Sequence, residues 1–127
     1  MKVCIDTNAY SDFMRGDAHV AEILETADEI YVPSVVIGEL TYGFLLGKKL
    51  DENESVLNDF LTQDGVKVLQ ITKGIAERYG YVKASLKVNG TFIPENDVWI
   101  AAAALETGAR LVTKDKHFDY VAGLIKV

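Results

Sequence analysis

Cysteine is nearly missing: Cys4 is the only one among 127 residues. That rules out an internal disulfide and any zinc site assembled from several thiolates. Cys4 lies in the apolar run Val3-Cys4-Ile5 and reads as a small buried hydrophobe rather than a nucleophile. A chain with so little cysteine suits a reducing compartment. No apolar run approaches the roughly 18 residues that span a bilayer. The N-terminus also lacks the basic, apolar and small-residue blocks of a secretory signal. A cytoplasmic protein without membrane attachment is expected. Positive charge is short as well: 13 Lys and Arg against 19 Asp and Glu leave a formal −6. Nucleic-acid binders ordinarily carry a basic surface, so this balance argues against them unless the acids have work of their own.

What is present is enough for a core. Apolar residues make up 49% of the chain, and its length falls in the usual range of one compact domain, residues 1–127. Residues 2 to 5 read as a buried strand that stops at Asp6-Thr7-Asn8, good helix-starting chemistry for a helix to Arg15 ended by Gly16. A helix over residues 18 to 27 and a strand at Ile30-Tyr31-Val32 follow, the strand closed by Pro33. Ser34 is the expected N-cap of a helix to Leu46, with Val36, Ile37, Leu40 and Phe44 at helical spacing. A helix from Glu52 to Thr62 should bury Val56, Leu57, Phe60 and Leu61, and Val66 to Ile71 reads as a third strand. Thr72 caps a helix to Val88 whose stripe is Ile75, Tyr79, Val82 and Leu86, broken at Asn89-Gly90. After Pro94 comes an alanine-rich helix, Glu95 to Thr107, stopped by Gly108. Arg110 to Thr113 is the fourth strand and Leu124 to Val127 reads as a fifth. Strands alternating with helices predict an α/β fold in three α/β/α layers around a parallel sheet of four to five strands.

In such sheets ligands bind beyond the carboxyl ends of strands, near the point where strand order reverses. Asp6 directly follows the first strand and Asp115 follows the fourth, so adjacency of those strands brings both carboxylates into one crevice. Glu39 lies among apolar helix neighbours, and Asp97 opens a helix flanked by Trp99, Ile100 and four alanines. Taken singly, each acid has a bland reading. Asp6 serves as a helix cap, Glu39 pairs with Lys48 or Lys49, Asp97 complements a helix dipole, and Asp115 is a surface acid between lysines. Together they point elsewhere. Several acids bordering apolar faces repel one another and resist burial, and divalent Mg²⁺ or Mn²⁺ relieves both effects through hard oxygen ligands. The four acids supply −4 of the formal charge, which two dications would cancel.

The motifs resemble those of a known family. Val3-Cys4-Ile5-Asp6-Thr7-Asn8 resembles the opening strand and "DTN" motif of PIN domains. Pro33 to Leu40 resembles the helix that carries their second acid. Ile93-Pro94-Glu95-Asn96-Asp97-Val98-Trp99-Ile100-Ala101-Ala102 resembles the "PxNDxxIAA" segment of VapC-type toxins, and Thr113-Lys114-Asp115-Lys116-His117-Phe118 their closing "T-x-D-x-x-F" stretch. The resemblance implies that Asp6, Glu39, Asp97 and Asp115 hold Mg²⁺ or Mn²⁺, with Asn8 and Thr113 orienting ligands or water. It implies a metal-dependent endoribonuclease, the toxin of a type II toxin–antitoxin system, leaving a 5′-phosphate and a 3′-hydroxyl. It further implies an RNA substrate, a VapB-like antitoxin partner laying an amphipathic segment into an apolar groove, and a homodimer. One departure is Lys114, where many relatives carry Asn; from there it can reach substrate phosphate.

Other readings stay open. A PIN nuclease of RNA processing outside any toxin system shares these acids, and a non-catalytic module would keep the fold alone. An aspartyl-nucleophile phosphatase would want an acid two residues after Asp6, where Asn8 stands. His19 and His117 suggest metal-free acid–base catalysis, against which surface or outer-sphere roles are expected for both. Lys48, Lys49, Lys114 and Lys116 are candidate phosphate contacts, Tyr42, Phe44 and Leu45 candidate groove walls, and Asp119 a surface acid.

Overall fold

The computed structural model describes all 127 residues. Strand β1 (Lys2–Ile5) runs into helix α1 (Thr7–Met14), then α2 (Ala18–Thr26) and β2 (Glu29–Pro33). Helices α3 (Ser34–Leu46) and α4 (Leu50–Leu61) precede β3 (Val66–Leu69), and α5 (Lys73–Val88) and α6 (Glu95–Thr107) precede β4 (Arg110–Val112). A 3-10 helix, Lys116–Tyr120, follows β4. The sheet is parallel throughout, in the order β3-β2-β1-β4. Val3, Cys4 and Ile5 are each fully buried. Successive strand residues point to opposite faces, so both faces of β1 are covered and the layers are α/β/α.

The chain starts from β1, adds β2 and β3 on one side, and returns to add β4 on the other. The reversal therefore falls between β1 and β4, whose register pairs Ile5 with Val112. Asp6 and Thr113 are the next residues on each strand, side by side at the carboxyl edge. Helix α6 contributes Ala101, Ala102, Ala103 and Ala104 to the core, all buried. Side chains this small bring the helix axis close to its neighbours. Gly108 then ends it at φ 69°, a left-handed conformation that suits a residue without a Cβ.

Four expectations need correction. Ser34 is not an N-cap: Pro33 holds that position, and the Ser34 hydroxyl donates to the Leu69 carbonyl at 2.7 Å, tying α3 to the end of β3. That bond closes β3 at Leu69, which leaves Ile71 exposed. Val56 is exposed rather than core, because Leu57 and Phe60 already form the inward face of α4. The fifth strand shrinks to a single parallel bridge between Leu111 and Lys126, with backbone bonds from Leu111 N–H to Ile125 and from Val127 N–H to Leu111. The turn through Gly123 brings only that stretch beside β4.

Leu111 is fully buried and pairs with both Cys4 and the C-terminal segment. Leu111→Ala removes packed methyl groups and leaves a cavity, so stability should fall by about 3 kcal/mol. Urea unfolding followed by circular dichroism reads this as a lower midpoint at unchanged slope.

Candidate metal centre

Asp6 and Thr113 are the only buried polar or charged residues in the protein, at 4% and 8% exposure, and they are bonded to each other. The Thr113 hydroxyl donates to Asp6 Oδ2 and its oxygen accepts from the Asp115 backbone N–H at 3.0 Å. One hydroxyl thus couples the acid that ends β1 to the acid that follows β4. The other Asp6 oxygen, Oδ1, accepts from Ala9 N–H at 2.8 Å, so Asp6 is also the N-cap of α1. The capping role and the placement in the crevice coexist in one side chain.

Glu39 reaches the same end of the sheet from the second turn of α3, half-buried. It accepts from the Thr7 hydroxyl at 2.7 Å and has no lysine partner, which removes its expected bland role. Asp97 sits in the first turn of α6. His117, on the 3-10 helix, places Nδ1 3.3 Å from Asp97 Oδ2 and 3.1 Å from Asp115 Oδ1. One ligand atom from each of Asp97, Asp115 and His117 falls within 4.8 Å of the others.

The electrostatics record the crowding. Burial pushes the Asp6 carboxyl above its ordinary value. Hydrogen bonds from Thr113 and Ala9 pull it partly back, and the charges of Asp115 and Asp12 push it up again. Asp97 is pushed up to about 6, first by burial and then by Asp115; the His117 hydrogen bond and charge oppose this, and Glu39 adds to it. Asp115 thus lies close enough to burden both Asp6 and Asp97, and Glu39 close enough to burden Asp97. The four acids share one field. No lysine or arginine pairs with any of them. A set of hard oxygen donors held together without cationic side chains matches what Mg²⁺ or Mn²⁺ requires.

The remaining candidates separate. Asn8 stands exposed in the first turn of α1. Lys114 is ion-paired at the surface: its ammonium meets Asp17 and lies 3.5 Å from Asp12 Oδ2, tying the end of β4 to the α1–α2 turn. Lys48, Lys49 and Lys116 are exposed, and Asp119 pairs with Lys126 at the surface. Burial pushes the Cys4 thiol up, which removes it as a nucleophile. One contributor escaped the sequence analysis: Thr7 was visible only as a helix-start residue. His117, for which a surface or outer-sphere role was expected, stands beside Asp97 and Asp115.

A PIN domain family model matches residues 3–124. The Ribonuclease VapC2 of Rickettsia felis is 32% identical over 105 residues, 82% of this chain and 77% of that protein. The Ribonuclease VapC2 of Haemophilus influenzae is 31% identical, over 98% of this chain and 95% of its own. Among solved structures, VapBC2 from Rickettsia felis bound to a promoter DNA fragment superimposes with a TM-score of 0.89 at 28% identity, covering 100% of this chain and 98% of that one.

In the metal-free protein the raised Asp97 carboxyl favours the folded state when protonated. Its contribution is full below the unfolded value near 3.8 and is lost as pH rises through about 6. Lowering pH from 7 to 5 should therefore raise the melting temperature of metal-free protein. Asp97→Asn should stabilise it at pH 7 by about 1 kcal/mol, the ionisation penalty discounted for partial solvent screening, and should flatten the pH profile. Paired melting curves at pH 5 and 7 check both.

Proposed function

Because this chain belongs to the PIN domain family, we propose that it is an endoribonuclease, the toxin of a VapBC-type toxin–antitoxin pair, hydrolysing RNA phosphodiester bonds with Mg²⁺ or Mn²⁺. One observation carries the reading. Asp97 and Asp115 stand with His117 within 4.8 Å at the sheet's switch point, Asp6 and Glu39 are near enough to feel or exert their charge, and no lysine or arginine pairs with any of the four acids. The relatives named as ribonucleases supply the reaction class.

In this reading Asp6, Glu39, Asp97 and Asp115 hold the cation. When bound, a divalent cation supplies a polarised water and charge stabilisation on the phosphate oxygens. Thr113 fixes Asp6 and the Asp115 backbone in a common frame, and Thr7 fixes the Glu39 rotamer. Asn8, exposed beside Thr7, is available to orient water or substrate. Lys48, Lys49 and Lys116 are the exposed cations left to meet RNA phosphates.

The solved relatives include complexes of the VapBC kind, and a VapB-like antitoxin is the inferred partner. The apolar surface suits it. Tyr42, Leu45 and Leu46 stand 61 to 72% exposed on α3. Beside them opens a cleft of about 350 Å³ lined by Tyr10, Met14, Leu40, Phe44 and Val56. An amphipathic helix with anchors at helical spacing fits such a groove. Val88 and Phe92, at the α5–α6 turn, form a second exposed apolar patch, suited to another copy of this chain in a homodimer.

Purified protein incubated with a structured RNA pool should cut it only with Mg²⁺ or Mn²⁺ present, and sequencing of the new ends should find 5′-phosphates. Asp6→Asn keeps the volume and one acceptor oxygen, replaces the other with an amide donor, and removes the charge. Its cleavage rate should fall at least about 100-fold while the fold is retained. Undiminished cutting by that variant, or cutting in excess EDTA, overturns the metal-dependent assignment.

A further inference from the structure

We infer that His117 is a nitrogen ligand of the metal centre, making it a mixed carboxylate–imidazole site that binds Mn²⁺ in preference to Mg²⁺. The inference rests on the metal-dependent reading above and adds to it a donor of different chemistry. Its ground is geometric. Ligand atoms about 2.1 Å from a six-coordinate ion stand about 3.0 Å apart across each edge of the polyhedron and about 4.2 Å across its centre. His117 Nδ1 lies 3.1 Å from Asp115 Oδ1 and 3.3 Å from Asp97 Oδ2. All three ligand atoms fall within 4.8 Å of one another. The two imidazole–carboxylate separations have the edge lengths of a coordination sphere.

The local fold holds the ring there. Asp115 caps the 3-10 helix by accepting from the His117 backbone N–H at 2.9 Å. The next residue, Phe118, is 1% exposed and anchors that short helix in the core. The acid and the imidazole are therefore fixed relative to each other by one turn of backbone, and α6 brings Asp97 to the same point. The His117 side chain remains 48% exposed, so the ring is not a packing element. Coordination takes the Nδ1 lone pair, so the ring binds as the neutral tautomer with its proton on Nε2. That nitrogen is left to a water or a substrate oxygen.

An imidazole donor shifts preference along the transition series. Mg²⁺ favours oxygen and its own water, whereas Mn²⁺ accepts nitrogen at little penalty. A ring that only hydrogen-bonds the carboxylates would make no such distinction between the two ions.

The test is Mn²⁺ alone, added to untagged metal-free protein and read by pulsed electron paramagnetic resonance and titration calorimetry. Directly bound imidazole nitrogen should modulate the Mn²⁺ signal. H117A and H117N should abolish that modulation; His19 is the only other imidazole, so the loss identifies the ligand. Mn²⁺ affinity should fall about tenfold in H117A while Mg²⁺ affinity changes less than twofold. The amide of H117N keeps a hydrogen-bond donor near the Nδ1 position, so recovery of Mn²⁺ affinity in that variant would reduce His117 to a positioning residue and overturn the inference. Mn²⁺ bound without nitrogen coupling, in protein that still cuts RNA, overturns the inference and leaves the nuclease reading standing. Nitrogen coupling in protein that cuts no RNA supports the ligand and overturns the nuclease reading. Failure to bind Mn²⁺ at all overturns both.

Discussion

Crowding of like charge at one end of the sheet governs the rest of this structure. A carboxylate on the carboxyl edge of β1 is 4% exposed, and a second belongs to Asp115, whose backbone N–H bonds the same Thr113 hydroxyl. Two more arrive from α3 and α6. Unpaired burial of such groups is strongly unfavourable, and mutual repulsion adds to it. The fold offsets part of this with neutral donors: the Ala9 N–H and the hydroxyls of Thr113 and Thr7. The positive ends of α1 and α6 contribute in the same sense. These devices orient the oxygens without neutralising them. The charge that remains is what gives the site affinity for a cation.

The same principle explains how an acidic protein can handle an anionic polymer. Six of its 13 lysines and arginines are already committed. Arg15, Lys67, Lys73, Lys83, Lys114 and Lys126 are each paired with an acid. Net charge consequently says little about the surface near the crevice, where Lys116 projects from the 3-10 helix beside Asp115. A divalent cation in the crevice would itself be the largest local positive charge, and phosphate recognition can be centred there instead of on a basic patch.

Much of this was legible in the sequence because local and long-range signals agreed. Asp6 and Thr72 announced α1 and α5 as side-chain caps, and each accepts the expected backbone N–H. Gly108 announced the end of α6. Asp6 and Asp115 could be paired in advance because an acid after each of two adjacent strands must converge at a switch point. The failures share a cause. Ser34 and Lys114 have partners 35 and 97 residues away, at Leu69 and Asp17, and spacing along a chain carries no record of such contacts. Val56 failed for another reason: helical periodicity gives a stripe but not its width.

Lys114 shows how a residue behind the site still bears on it. In sequence it was one candidate phosphate contact among four lysines, and its ammonium joins Asp17, the N-cap of α2, to the loop that carries Thr113 and Asp115. Asp12 of α1 leans on the same charge, and Asp12 also raises the Asp6 carboxyl. Lys114 therefore neutralises an acid that would otherwise load the central carboxylate further, and it braces the β4 loop against α1 and α2. Asn in its place would keep a polar contact but lose the neutralising charge. A lysine at this position thus acts on the centre from behind, through the acids it occupies, while leaving the front of the crevice to cation and phosphate.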